Sequence, residues 1–281
     1  MITRRFAQVD VFTTTPLLGN PVAVVLDAEG LTTEQMQRFT AWTNLSEATF
    51  LLPPTHPDAD YAVRIFTAAQ ELPFAGHPTL GTCHAWLAAG GVPRGDVVVQ
   101  ECGAGLVTVR RDPSGTLAFA APERRRTGPL DGEEAGTIAA GLGLPDDAVV
   151  AHAWCDNGPP WQVLLLRSAD DVLAARPRAE LLGERFVGVV GPRPADDAEG
   201  VALEVRGFFP GPGGFAEDPV TGSLNAAVGQ WLIEEGRVAE RYVAAQGTAL
   251  GRAGRVHVEA VDGVVWVGGG SVTVLEGAAA L

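Results

Sequence analysis

Gly76-His77-Pro78-Thr79-Leu80-Gly81 leads to Trp86-Leu87, and Thr221-Gly222-Ser223 leads to Trp231-Leu232. In both stretches a turn opens an amphipathic helix that carries Trp-Leu near its end. Beyond each helix, Gly91-Val92 or Gly236-Arg237-Val238 precedes a strand ending at Gln100 or Gln246. A Gly-x-Val-x-Val-like strand follows, Gly105-Leu106-Val107-Thr108-Val109 in one case and Gly254-Arg255-Val256-His257-Val258 in the other. The offset of about 145 residues is too long for a solenoid period, so the chain reads as two homologous halves with pseudo-twofold symmetry.

Outward from these anchors the pattern is α+β. Strand-like runs rich in Val, Phe and Ile occupy Phe6 to Phe12, Pro21 to Leu26, Thr49 to Leu52, Tyr61 to Phe66 and Val97 to Gln100. One helix is expected over Thr33 to Thr43, with Thr32 or Thr33 as its cap, and another from Pro78 to Ala89, stopped by Gly90-Gly91. The seam between halves is placed at Pro122 to Pro129, where apolar strand gives way to a charged, Pro- and Gly-bearing segment. This gives an N-terminal half over 1–124 and a C-terminal half over 125–263. The last apolar run, Val264 to Leu275, has no turn partner of its own, and a strand over 264–276 is expected to return to the first half.

Of 281 residues, 46% are hydrophobic and 19% charged, which fits a compact chain with much buried strand and not a disordered one. A net charge of -14 repels phosphate backbones and anionic lipid head groups, so nucleic acid is not expected as a partner. Arg124-Arg125-Arg126, the densest basic run, lies among Pro122, Gly128 and Pro129 and reads as a solvated linker. Met1 to Asp10 does not read as a signal peptide, and no run of about 18 apolar residues is present, so no membrane span and a cytoplasmic location are expected. Cys83, Cys102 and Cys155 are widely spaced and form no C-x-x-C pair, which argues against disulfide and zinc frameworks and for reduced, buried thiols.

Four features could carry chemistry. A helix start presents unbonded N–H groups and the positive end of the helix dipole, so the turns at Gly76-His77-Pro78-Thr79 and Thr221-Gly222-Ser223 are candidate anion seats as well as ordinary caps. If the halves face one another, both seats meet at one cleft and hold a small carboxylate without Lys or Arg. Glu47 stands at the threshold of the apolar strand Thr49 to Leu52. Taken alone it is a strand-edge carboxylate facing water; pressed against apolar neighbours, it is desolvated and suited to passing a proton both ways. His77 could polarise a ligand group or simply cap the helix after it, and Asp218, between Glu217 and Pro219, could be a ligand or a turn former. Other motifs fail. Gly211-Pro212-Gly213-Gly214 is not G-x-G-x-x-G, no Walker loop or G-x-S-x-G elbow is present, and His84 and His152 lack metal-spaced companions.

The blocks Val9-Asp10-Val11-Phe12, Gly19-Asn20-Pro21, Asn44-Leu45-Ser46-Glu47, Arg64-Ile65-Phe66-Thr67, Glu71 to Gly81, Glu217-Asp218-Pro219-Val220-Thr221-Gly222-Ser223, Gly247 to Arg252 and Val267 to Gly270 run the length of the chain in order. Together they resemble the phenazine biosynthesis PhzF-like family. The resemblance implies a diaminopimelate-epimerase-like fold, two pseudo-symmetric halves each wrapping a barrel-like sheet around a central helix, paired as a homodimer. It also implies that Glu47 is the proton-transferring acid and base, with His77 and Asp218 lining the site. Gly76, Gly222 and Ser223 match positions that hold the substrate carboxylate, and Ser46 neighbours the base. The epimerase relatives use two cysteines, whereas none of the three here falls in a motif block, which disfavours a two-thiol mechanism. Leu224-Asn225 and Ala48 depart from the family pattern, which puts substrate identity in doubt.

The function expected is therefore a cofactor-free, metal-free isomerase of a small anionic metabolite. Two rivals stand beside it: a Ser223–His77–Asp218 hydrolase triad, and a non-catalytic metabolite-binding or adaptor protein on the same scaffold.

Overall fold

A computed structural model describes residues 2–145, 147–211 and 214–281; Pro212 and Gly213 of the Gly211-Pro212-Gly213-Gly214 stretch lie outside them. Two compact units form, Met1–Ala120 with Gly268–Leu281, and Ala121–Val267. The first contains β1 (Thr3–Val11), β2 (Asn20–Val25), α1 (Thr33–Thr43), β3 (Glu47–Leu52), β4 (Tyr61–Thr67), β5 (Glu71–Leu72), α2 (Gly76–Ala88), β6 (Val98–Cys102), β7 (Gly105–Arg111) and β8 (Leu117–Ala120). The second contains α3 (Gly132–Gly141), β9 (Val149–Asp156), β10 (Pro160–Leu166), α4 (Ala169–Ala174), α5 (Ala179–Leu182), β11 (Phe186–Pro192), β12 (Leu203–Gly211), β13 (Gly214–Asp218), α6 (Gly222–Glu234), β14 (Arg241–Gln246) and β15 (Gly254–Val261). Along β16 (Val264–Gly269) the chain passes back to the first unit, where β17 (Ser271–Ala280) completes it.

In the first unit β17 and β2 flank β1 antiparallel, β3 joins β2 in parallel, and β4 follows antiparallel with the short β5 beside it. β6 then pairs with β4 in parallel, and β7 and β8 extend the sheet antiparallel. α2 packs on β1, β2, β3, β6, β8 and β17, so the sheet curls around it as a barrel-like wall. The helix suits that place because it is small or apolar on nearly every side, with Gly76, Leu80, Gly81, Cys83 and Ala85 all buried. A Cβ on Gly81 would press into Val22, so only glycine lets β2 lie this close. Beneath α1, Phe6, Phe39, Phe50 and Phe66 form a chain of edge-to-face contacts with Met36 and Val25 in the same core.

The second unit repeats, in β9 to β15, the pairing scheme of β1 to β7. β9 and β10 are antiparallel, β10 and β11 parallel, β11, β12 and β13 antiparallel, β12 and β14 parallel, β14 and β15 antiparallel. α6 occupies the position of α2, and Gly229 brings it against β15, where a Cβ would lie 2.8 Å from Val258. Ile138, Leu142, Leu164, Val187 and Phe208 centre a separate core. The repeated turn–helix strings thus belong to a repeated topology.

Several expectations are corrected. α2 begins at Gly76, not Pro78, which puts the proline in the first turn, where N–H groups have no intrahelical acceptor. The apolar run over 264–276 is two strands, not one: Gly270 breaks it, only β17 pairs with β1, and β16 follows β15 through the two-residue turn Asp262-Gly263, both at positive φ. The units divide at 120 and 267, not at 124 and 263. The arginine run is solvated at Arg125 and Arg126, but it makes specific contacts. Arg124 is 10% exposed and pairs with Glu234, Arg126 stacks 3.5 Å from the Trp154 ring centre, and the Arg125 N–H donates to the Asp156 carbonyl. All three cysteines are free, with Cys83 and Cys155 buried and Cys102 half-buried. Among the described residues no helix is long and apolar enough to cross a membrane.

Candidate active site

In the first unit, Asn44 closes α1 in the left-handed conformation at φ 57°, and the chain turns through the exposed Ser46 into Glu47, the first residue of β3. β3 lies between β2, which it meets from Ala48 onward, and β4, where Glu47 is opposite Thr67. Its side chain is 17% exposed and its Oε2 stands 3.5 Å from Nε2 of His77. His77 is the second residue of α2 and is buried. Desolvation lowers its pKa to about 3, opposed by a hydrogen bond with the Pro21 backbone. Proline has no N–H, so the ring donates to the Pro21 carbonyl. The contact with Glu47 therefore joins a neutral imidazole to a carboxyl group and is not an ion pair.

The other face of the ring is held by the N-terminus of β2. Asn20, fully buried, brings Nδ2 to 3.5 Å from His77 Nδ1. Asp10 steadies that corner by accepting from the Gly19 N–H at 2.9 Å, and a Cβ on Gly19 would strike the Val11 carbonyl. These contacts give a physical reason for the Val9 to Phe12 and Gly19-Asn20-Pro21 blocks. At the start of α2, Ala75 offers no side-chain cap, and Gln100 donates to Thr79 Oγ1 at 2.9 Å while accepting from the buried Tyr61 hydroxyl at 3.1 Å.

The second unit builds its own helix start in the same style. Asp218 ends β13 opposite Gly207, and its Oδ2 accepts from the Thr221 hydroxyl at 2.7 Å. Gln246, at the end of β14, accepts from the Thr221 N–H at 3.0 Å and from Asn225 at 2.8 Å, and donates to Thr221 Oγ1 at 2.9 Å. Gln100 and Gln246 are thus equivalent props, each fixing a threonine at a helix start. Gly222 and Ser223 open α6, which has no side-chain cap. Ser223 Oγ accepts from the Trp161 indole at 3.0 Å, and the Ser223 carbonyl accepts from Asn157 at 2.9 Å.

The structure brings Glu47 and His77 together, and places Gly76 beside His77 at the same helix start; Asp218, Gly222 and Ser223 gather at the other. Burial pushes the Cys83 and Cys155 thiols up to about 12, so neither is a thiolate base. Among the described residues no group of three or more His, Cys, Asp or Glu could hold a metal ion. Sequence reasoning missed Asn157 and Trp161. Their signal, Asp156-Asn157-Gly158-Pro159-Pro160-Trp161, reads only as a hairpin turn, and nothing local says that it reaches Ser223.

Comparison with known proteins settles the family. The model of the phenazine biosynthesis-like proteins matches residues 9–277. The chain belongs to that family. Among curated members, antisense-enhancing sequence 1 of Schizosaccharomyces pombe is 34% identical over 99% of both chains. The trans-2,3-dihydro-3-hydroxyanthranilate isomerase of Pseudomonas fluorescens is 32% identical over 88% of this chain and 87% of its own. A crystal structure of a PhzF-family phenazine biosynthesis protein from Bacillus anthracis superposes with a TM-score of 0.84 over 100% of both chains, at 22% identity, which shows the shared fold. Other members of the phenazine biosynthesis-like family are named isomerases too, and isomerase is the enzyme class of this chain.

Proposed function

We propose that this isomerase moves a proton between two carbons of a small unsaturated carboxylate without a cofactor, with Glu47 as both acid and base. One observation carries the reading: the buried oxygen of Glu47 lies 3.5 Å from an imidazole that burial keeps neutral. A cationic partner would pin the carboxylate in its ionised form. A neutral one lets it take up a proton and return it. Asp218 is assigned the polar substituents of the substrate, and Ser46, Gly76, Gly222 and Ser223 its carboxylate, where helix-start N–H groups favour an anion.

The named activity of the Pseudomonas fluorescens relative makes trans-2,3-dihydro-3-hydroxyanthranilate the first compound to try. Its ring C–H bonds adjoin unsaturation, so a carboxylate can remove one as charge spreads into the conjugated system. Glu47→Gln keeps the shape and removes the base. Turnover is expected to fall on the order of 10²- to 10⁴-fold. Turnover within twofold of the parent enzyme would overturn the assignment.

A further inference from the structure

The hydroxyl of Ser223 is held by a group that can only give a proton. The Trp161 indole donates to Ser223 Oγ at 3.0 Å, and indole nitrogen has no lone pair to offer in return. Trp161, in β10, is 2% exposed, and its ring packs edge-to-face against Phe186 with ring centres 5.5 Å apart. Asn157, in the turn between β9 and β10, fixes the backbone of the same serine by donating to its carbonyl at 2.9 Å. One hairpin therefore grips Ser223 at two atoms. The serine O–H cannot point back at the indole, and no acceptor receives it among the described residues.

We infer that Trp161 is a positioning and specificity-determining residue: by filling an acceptor side of the Ser223 hydroxyl, it aims the O–H at the ligand and selects a carboxylate oxygen there over a donor group. The inference rests on the proposed role of Ser223 in holding the substrate carboxylate. Without the indole, the hydroxyl could rotate and accept, and its preference for an acceptor would fade. Trp161 touches no reacting atom in this scheme, so its loss weakens binding and leaves the proton transfer itself alone.

Two measurements test it. In protein carrying 15N-labelled tryptophan, Ser223→Ala should move one of the six indole N–H cross-peaks upfield, whether or not any substrate is known; a spectrum in which none moves would overturn the contact. Binding is then followed by calorimetry with two probes, 3-hydroxyanthranilate and its carboxamide. Trp161→Phe and Ser223→Ala should each weaken the acid about tenfold, the double variant no further, and the amide less than about twofold, as expected for one shared charge-assisted hydrogen bond. In turnover assays Trp161→Phe should raise KM with kcat unchanged. Acid binding indifferent to Trp161→Phe, or additive losses, would overturn the inference alone. Failure of the parent protein to bind either probe would overturn the carboxylate reading of Ser223 and the inference with it.

Discussion

Burial gives His77 a pH signature. In the unfolded chain the imidazole takes a proton near 6.5, whereas buried in the fold it does so only near 3. Between those values the unfolded chain binds the extra proton, so stability is full above about pH 6.5 and is lost as pH falls. One proton gives a slope of at most about 1.4 kcal/mol per pH unit. His77→Gln should remove that slope, read from urea midpoints between about pH 4.5 and 6. An unchanged slope in the variant would assign it to other groups. Glu47 was only half legible from the sequence. Its apolar surroundings could be read along the chain, but β4 opposite it and the imidazole at 3.5 Å come from elsewhere in sequence, and they decide between a carboxylate facing water and a base. His77 was open between cap and ligand for the same reason: Asn20 and Pro21 reach it from β2.

Arg206 and Glu217 clamp the element that ends in Asp218. The guanidinium, 4% exposed, meets Glu217 through two bonds of 2.9 and 2.8 Å, lies over Phe208, and donates to the Val172 and Ala175 carbonyls where α4 ends. Four of the five N–H donors of the buried fork are thus used. Arg206→Met strands the Glu217 carboxylate, which is expected to cost about 3–5 kcal/mol in chemical denaturation, while a second change, Glu217→Leu, should restore much of the loss. A double variant no more stable than the single one would show that the clamp acts through packing instead. At this scale legibility follows locality. The extent of α1 was readable, with its cap open between Thr32 and Thr33, because the cap, Thr32 with Gln35, and the stop, Asn44, are adjacent to it. The partners of the arginine run, Trp154 and Glu234, are distant in sequence, so the contacts of Arg124 and Arg126 could not be read from the run itself. The β16–β17 run was misread because one apolar pattern spans both strands; the break at Gly270 is set by the Thr13 backbone, from which a Cβ would be 2.9 Å.

Across the whole chain, the repeat was the most legible feature, since each unit needs the same glycine-bearing helix in the same curled sheet. The return of the C-terminus was legible in kind but not in extent. β17 pairs with β1 from Thr3 opposite Ala280 to Val11 opposite Ser271, and so closes the flank of the strand that carries Asp10. A chain ending at Gly270 is expected to lose hydrogen-exchange protection in β1 and β2 while β9 to β12 keep theirs, because the second unit has its own core. Equal loss in both would contradict two separate cores. The central claim concerns one proton at Glu47. Turnover of trans-2,3-dihydro-3-hydroxyanthranilate in D2O, followed by mass spectrometry, tests it most directly: the parent enzyme should place solvent deuterium on carbon in the product, and Glu47→Gln should place none. Deuterium incorporated at the parental rate by the Glu47→Gln enzyme would contradict it.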